Sequence, residues 1–160
     1  TERFKPLVEA LRHLAIPSAL IDGELVVEDE RGVSSFADLQ ADLKAGRSDR
    51  LAYYAFDLLY VNGHDLRGAV LADRKRALAA LLDDLPADGR IRLSQHIEAD
   101  GAEMARQACR LGLEGVVSKR ADRPYRSGRS GDWVKVKCVE RQEFVVAGYV
   151  ELGQRAERIR

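Results

Sequence analysis

Hydrophobic positions recur with two periods along the 160-residue chain. Phe4, Leu7, Val8, Leu11 and Leu14 fall three or four apart, the spacing of one helix face, and Pro17 stops that helix because it has no N–H to continue it. Residues 18–29 are rich in β-formers and read as a strand. Ser34 or Ser35 caps a short helix carrying Phe36, Leu39 and Leu43 and closed by Gly46. Leu51 to Tyr60 is an aromatic-rich strand with an Asn62-Gly63 turn behind it. A helix over 73–85 turns Leu78, Leu81, Leu82 and Leu85 inward and Arg74, Lys75 and Arg76 mostly outward. A short strand follows at 91–94, then a helix over 102–111 with Gly112 as its C-terminal cap. Strands at 115–120, 133–138 and 144–150 complete the chain, the first two joined by a Gly-, Ser-, Pro- and Arg-rich loop. Hairpin-length and helical connections mix irregularly. This predicts an α+β fold of mostly antiparallel sheets with flanking helices, not a doubly wound one.

Strand parity sharpens the picture. Alternation places Tyr54, Phe56 and Leu58 on one face of their strand, where Phe56 is either a core residue or a platform for stacking a base. It also puts Lys135 and Lys137 on one face and Val134, Val136 and Cys138 on the other. Two ammonium groups about 7 Å apart at their backbones repel unless an anion lies between them, and phosphate suits that position. The competing reading is an edge strand whose lysines oppose aggregation. Glu114 opens the preceding strand and Lys119 lies near its end. A carboxylate there can hold Mg²⁺ against phosphate oxygens, or can simply face water. Asp22-Gly23-Glu24 sets two acids into an otherwise apolar strand, where they need hydrogen-bond partners or a ligand such as a ribose hydroxyl.

Composition narrows the class. Apolar residues make up 46% and charged residues 32%, and no apolar run approaches the ~20 residues that span a bilayer. The charged opening is followed by no signal-peptide core, so a soluble, cytoplasmic protein without membrane contact is expected. The zero net charge is unevenly distributed. Residues 1–118 carry 15 basic and 20 acidic groups, and residues 119–141 carry eight basic and three acidic, which points to one anionic ligand or to a solvated strand pair. Cys109 and Cys138 stand 29 positions apart with no ligand-spaced partner, and two free thiols are expected. There is no P-loop, no GxGxxG after a strand and no nucleophile elbow, and His13, His64 and His96 are isolated. The first residue is Thr rather than Met, so part of a longer product is expected.

Taken in order, these segments resemble the covalent nucleotidyltransferases: ATP-dependent DNA ligases, RNA ligases and mRNA capping enzymes. Tyr53-Tyr54-Ala55-Phe56-Asp57 is similar to motif III, Glu114-Gly115-Val116-Val117-Ser118-Lys119 to motif IV and Trp133-Val134-Lys135-Val136-Lys137 to motif V. Asp22-Gly23-Glu24 matches the Asp-Gly-Glu before motif III in DNA ligases. Residues 123–130 resemble the ligase domain of bacterial end-joining ligases of the ligase D type, and 141–149 resemble the entry to the following OB-fold.

The resemblance implies an ATP-grasp-like adenylation domain over 1–141 and the start of an OB-fold over 142–160. It implies that Glu24 binds the ribose of ATP, Phe56 stacks on adenine, Glu114 serves Mg²⁺ or Mn²⁺, and Lys135 and Lys137 contact the α-phosphate. Lys119 is a weaker phosphate or DNA-backbone candidate, and Arg126 and Arg129 are DNA candidates. The implied partner is nicked or broken double-stranded DNA in end-joining repair, with fused polymerase or nuclease domains and a DNA-end-binding protein in the parent. The family's nucleophile, the lysine of Lys-x-Asp-Gly, is expected upstream of Thr1. The three Asp-Gly pairs here are preceded, two positions earlier, by Leu20, Pro86 and Glu98. The chain alone is therefore not expected to adenylate itself. An RNA ligase or capping enzyme is the enzymatic alternative, and a catalytically dead relative that binds nucleotide or DNA ends is the other.

Overall fold

The computed structural model describes residues 2–128 and 130–138. The strand expected at 144–150, the OB-fold expected over 142–160 and Arg129 lie outside the described residues. The element order is α1 (Lys5–Leu11), β1 (Ala19–Val27), α2 (Phe36–Lys44), β2 (Leu51–Val61), β3 (His64–Asp65), α3 (Leu71–Leu82), β4 (Ile91–Leu93), α4 (Gly101–Arg110), β5 (Gly115–Lys119) and β6 (Trp133–Lys137). One sheet runs β1-β2-β3 antiparallel, with β4 parallel to β2, and β5 and β6 form a separate antiparallel pair. The expected α+β class holds, and β4 is the parallel exception.

Local chemistry sets most of the boundaries. The Ser35 hydroxyl accepts the Asp38 N–H at the start of α2, and the Asp100 carboxylate accepts the Glu103 N–H at the start of α4. Gly46 and Gly112 follow the ends of these helices with φ of 71° and 75°. Asn62 and Gly63, at φ of 47° and 88°, turn β2 into β3. Helix α3 ends at Leu82 rather than 85, and two further boundaries differ from expectation. Helix α1 ends at Leu11, well before Pro17. Helix α3 begins at Leu71 rather than Asp73, because the Leu71 and Ala72 N–H groups donate to Arg123 and Ala121 carbonyls some fifty residues downstream.

The core gathers Leu7, Val27, Leu51, Ala55, Leu58, Leu78, Leu82 and Ile91 from α1, β1, β2, α3 and β4. Beneath α3 lies a correction. Arg74, expected to point outward, is 1% exposed and paired with Asp57, which is 0% exposed, through bonds of 2.7 and 2.8 Å. Its charge grouped Arg74 with Lys75 and Arg76 in the sequence, but helical spacing sets it one turn before Leu78 on the buried face. A second correction concerns the thiols: Cys109 and Cys138 are joined as a disulfide, their Cα atoms 5.2 Å apart. Sequence separation says nothing of proximity here, because the β5–β6 pairing carries Cys138 back to the end of α4. Among the described residues, no helix is long and apolar enough to cross a membrane.

Candidate active site

Two bulges in the β1–β2 pair decide where Phe56 points. The register passes from Asp22 opposite Asp57 to Gly23 opposite Ala55, so Phe56 is the extra residue between them. Strict alternation is broken: Ala55 and Leu58 both enter the core, and Leu58 does not share a face with Phe56 as expected. The half-buried Phe56 ring meets Trp133 edge-on, with centroids 6.2 Å apart, and Trp133 meets Tyr125 at 6.4 Å.

Lys119 fills the angle between these rings. Its ammonium lies 3.8 Å from the Phe56 centroid and 3.7 Å from that of Trp133, both within cation–π range. Burial pulls its pKa down from the ordinary lysine value to about 8; Asp57 opposes that shift and Lys75 adds to it. Lys75 is itself half-buried, donating to the Ser94 carbonyl at 3.2 Å, and burial lowers its pKa too.

A second group is charged and exposed. Gly115 pairs with Lys137 and Val117 with Lys135, so the two lysines share the strand face that parity assigned them. Between them sits the Glu114 carboxylate, 3.1 Å from Lys135 Nζ and 3.8 Å from Lys137 Nζ. The anion that relieves their repulsion is thus supplied by the chain itself. The hydrogen bond from Lys135 and the charges of both lysines hold Glu114 below the usual carboxylate range.

The remaining candidates are placed apart. Glu24 is exposed on β1 opposite Tyr54, with no hydrogen bond or ion pair among the described residues linking it to either group. Exposed Arg126 lines a cavity of about 420 Å³ with Tyr125, Gly128, Ser130 and Trp133. Asp57, which ends the 53–57 segment, is the buried partner of Arg74. Trp133 and Arg74 were not singled out as site residues. The Trp at the head of a lysine-bearing strand was a usable signal, and so was the four-residue spacing of Arg74 from Leu78.

Residues 1–137 match the model of the ATP-dependent DNA ligase domain. The chain belongs to this family. It is 45% identical over 151 residues to the multifunctional non-homologous end joining protein LigD of Pseudomonas aeruginosa, covering 94% of this chain and 18% of that protein. It is 39% identical over 156 residues to a probable DNA ligase of Kineococcus radiotolerans, covering 96% and 30%. Among solved structures, a mycobacterial DNA ligase D complexed with ATP and MES shares 34% identity at a TM-score of 0.67, covering 84% of this chain and 42% of that one. The M. tuberculosis LigD ligase domain shares 37% at 0.62, covering 74% and 38%. The chain thus spans less than a third of the length of each of these two curated relatives. Both residue groups lie inside the matched segment.

Proposed function

We propose that this chain contributes the nucleotide- and phosphate-handling face of an ATP-dependent DNA ligase that seals nicked or broken double-stranded DNA in bacterial end joining. Glu114 flanked by Lys135 and Lys137, on the strand pair next to the Phe56–Trp133 rings, carries the reading. It sets a cationic pair for phosphate and a carboxylate for a metal beside an aromatic surface for a base.

Phe56 stacks on adenine, Glu24 takes the ribose hydroxyls, and Lys119 works against Phe56 as a secondary phosphate contact. Lys135 and Lys137 turn from Glu114 to the α-phosphate. There they neutralise charge as it develops on the phosphoryl oxygens, the main lever a protein has in such transfers. Among the described residues no group of three or more His, Cys, Asp or Glu side chains could cage a metal. Mg²⁺ or Mn²⁺ binds through one or two carboxylates plus substrate phosphates and water, and Glu114 is the carboxylate beside the two lysines. The metal supplies further charge neutralisation on the phosphates.

In the longer protein a lysine amine attacks the α-phosphate with loss of pyrophosphate, AMP passes to a DNA 5′-phosphate, and the 3′-hydroxyl displaces AMP. Arg126 and Arg129 steady the DNA backbone, and polymerase or nuclease domains and a DNA-end-binding protein accompany the ligase. The protein works in the bacterial cytoplasm at the nucleoid.

Saturating ATP with Mg²⁺ at about a hundred times Kd should stabilise the 160-residue chain by ~2.7 kcal/mol, a Tm rise of about 5–10 °C. Lys137→Ala and Glu114→Ala should remove that rise while leaving the ligand-free Tm within about 2 °C, since both side chains are exposed. In a form carrying the upstream lysine, both variants should abolish adenylation. An unchanged Tm in the parent chain, or adenylation at parental rate in the variants, would remove these residues from the site.

A further inference from the structure

Cys109 lies in the last turn of α4 and Cys138 directly follows β6, and neither cysteine belongs to the hydrophobic core. The loop their disulfide closes contains Glu114, Lys119, Trp133, Lys135 and Lys137. Around the bond, the Cys138 N–H donates to the Glu114 carbonyl at 2.8 Å and the Leu113 N–H to the Ala108 carbonyl at 3.1 Å. The disulfide therefore ties the end of β6, one residue past Lys137, to the helix that leads into Glu114. Cys109 is exposed and Cys138 half-buried, so one sulfur is open to a small thiol or disulfide while the core stays closed.

We propose that Cys109 and Cys138 form a reversible thiol–disulfide clamp on the strand pair that carries the charged site, exchanged by small-molecule disulfides of the glutathione class. The exposed Cys109 thiolate attacks one sulfur of the small disulfide, making a mixed disulfide and expelling one thiolate. The Cys138 thiolate then attacks the Cys109 sulfur and expels the second. The protein loses two electrons and two protons, and two small thiols leave with them. Oxidation fixes the end of β6 to α4 and so keeps the backbones that carry Lys137 and Glu114 side by side, and reduction frees the end of β6. Formation of the clamp stands on the geometry alone; its effect on nucleotide rests on the function proposed above.

The test equilibrates the 160-residue chain across ratios of reduced to oxidised glutathione and counts alkylatable thiols by mass. Trp133, the one tryptophan, reports on β6 by its emission, and Tm and the Kd for ATP are measured alongside. A single transition from two alkylatable thiols to none is expected, with a shift in Trp133 emission and a Tm roughly 10 °C higher in the oxidised form, the effect of closing a loop of about 30 residues. ATP should bind at least fivefold more tightly to the oxidised form. Cys109→Ser and Cys138→Ser, which keep one thiol each and form no internal disulfide, should hold the Trp133 emission and ATP affinity of the reduced parent at every ratio, and a reduced-parent Tm in either variant shows that it is folded.

Two thiols alkylated at every ratio, or mixed adducts with glutathione and no internal disulfide, would overturn the clamp. So would a disulfide that leaves Trp133 emission and ATP affinity unchanged. If Trp133 follows the ratio but neither form binds ATP, the clamp is supported and the nucleotide reading fails.

Discussion

Lys119 shows how one side chain can serve or obstruct a site according to its charge. Its ammonium rests against the rings of Phe56 and Trp133, so a base entering against Phe56 has to displace it. With a folded pKa of about 8 against an ordinary 10.5, the unfolded chain holds this proton between pH 8 and 10.5 while the folded chain releases it. This group's contribution to stability therefore rises with pH across that window and is absent below it. Trp133 emission should titrate with a midpoint near pH 8 as the cation beside the indole disappears, and Lys119→Met should abolish that transition. A flat profile between pH 7 and 9 would mean that the ammonium stays charged between the rings. Its place near the end of the strand that Glu114 opens put Lys119 in reach of a site, but its aromatic partners come from another strand and another sheet.

At the level of elements, the motif glycines are explained by space. A Cβ at Gly115 would lie 2.2 Å from the Val136 carbonyl oxygen and 2.9 Å from the Lys137 Cα, both backbone atoms that cannot swing away. One at Gly23 would lie 2.5 Å from the Tyr53 ring, where β1 and β2 change register. Gly115→Ala should push β6 off β5, cost about 1–3 kcal/mol in urea unfolding and weaken ATP binding, because Lys135 and Lys137 then lose Glu114. Gly112→Ala is the control. Its φ is 75° with nothing within 4 Å, so it should cost about 1 kcal/mol and leave ATP affinity unchanged. Equal effects on affinity would show that close strand approach is not what Gly115 provides. The helices and β2 were legible because caps, turn glycines and apolar period are local signals; the early start of α3 was not, since its cap arrives from residues 121–123.

Across the whole molecule, the core sheet and the β5–β6 pair meet through a few named contacts. The segment leaving β5 hydrogen-bonds to Leu71, Ala72 and Arg67, and Val70 bridges to Pro124. Arg74 sits under this junction. It is bonded to Asp57 and the Ala69 carbonyl, and its guanidinium lies 5.9 Å from the Tyr125 ring centroid. Arg74→Met should destabilise the chain by about 3–5 kcal/mol, because it leaves the Asp57 charge buried without its partner. Arg74→Met with Asp57→Asn should recover part of that loss, as measured by denaturant midpoints. If the double variant is no better than Arg74→Met, the pair is not the buried unit the geometry makes it.

The order of motifs, the fold class, the strand face shared by Lys135 and Lys137 and the capped helices follow from the sequence, because each depends on neighbours within a few residues or on chain order. Tertiary structure alone decided four things. Phe56 is re-aimed by a bulge, which depends on how two strands fall into register. Lys119 lies between two rings, which depends on the meeting of two sheets. Arg74, on the buried face of its helix, has its charge completed by a carboxylate seventeen residues away. Cys109 meets Cys138 because β6 folds back along β5. In each case the deciding partner lies far along the chain, and only folding makes it a neighbour.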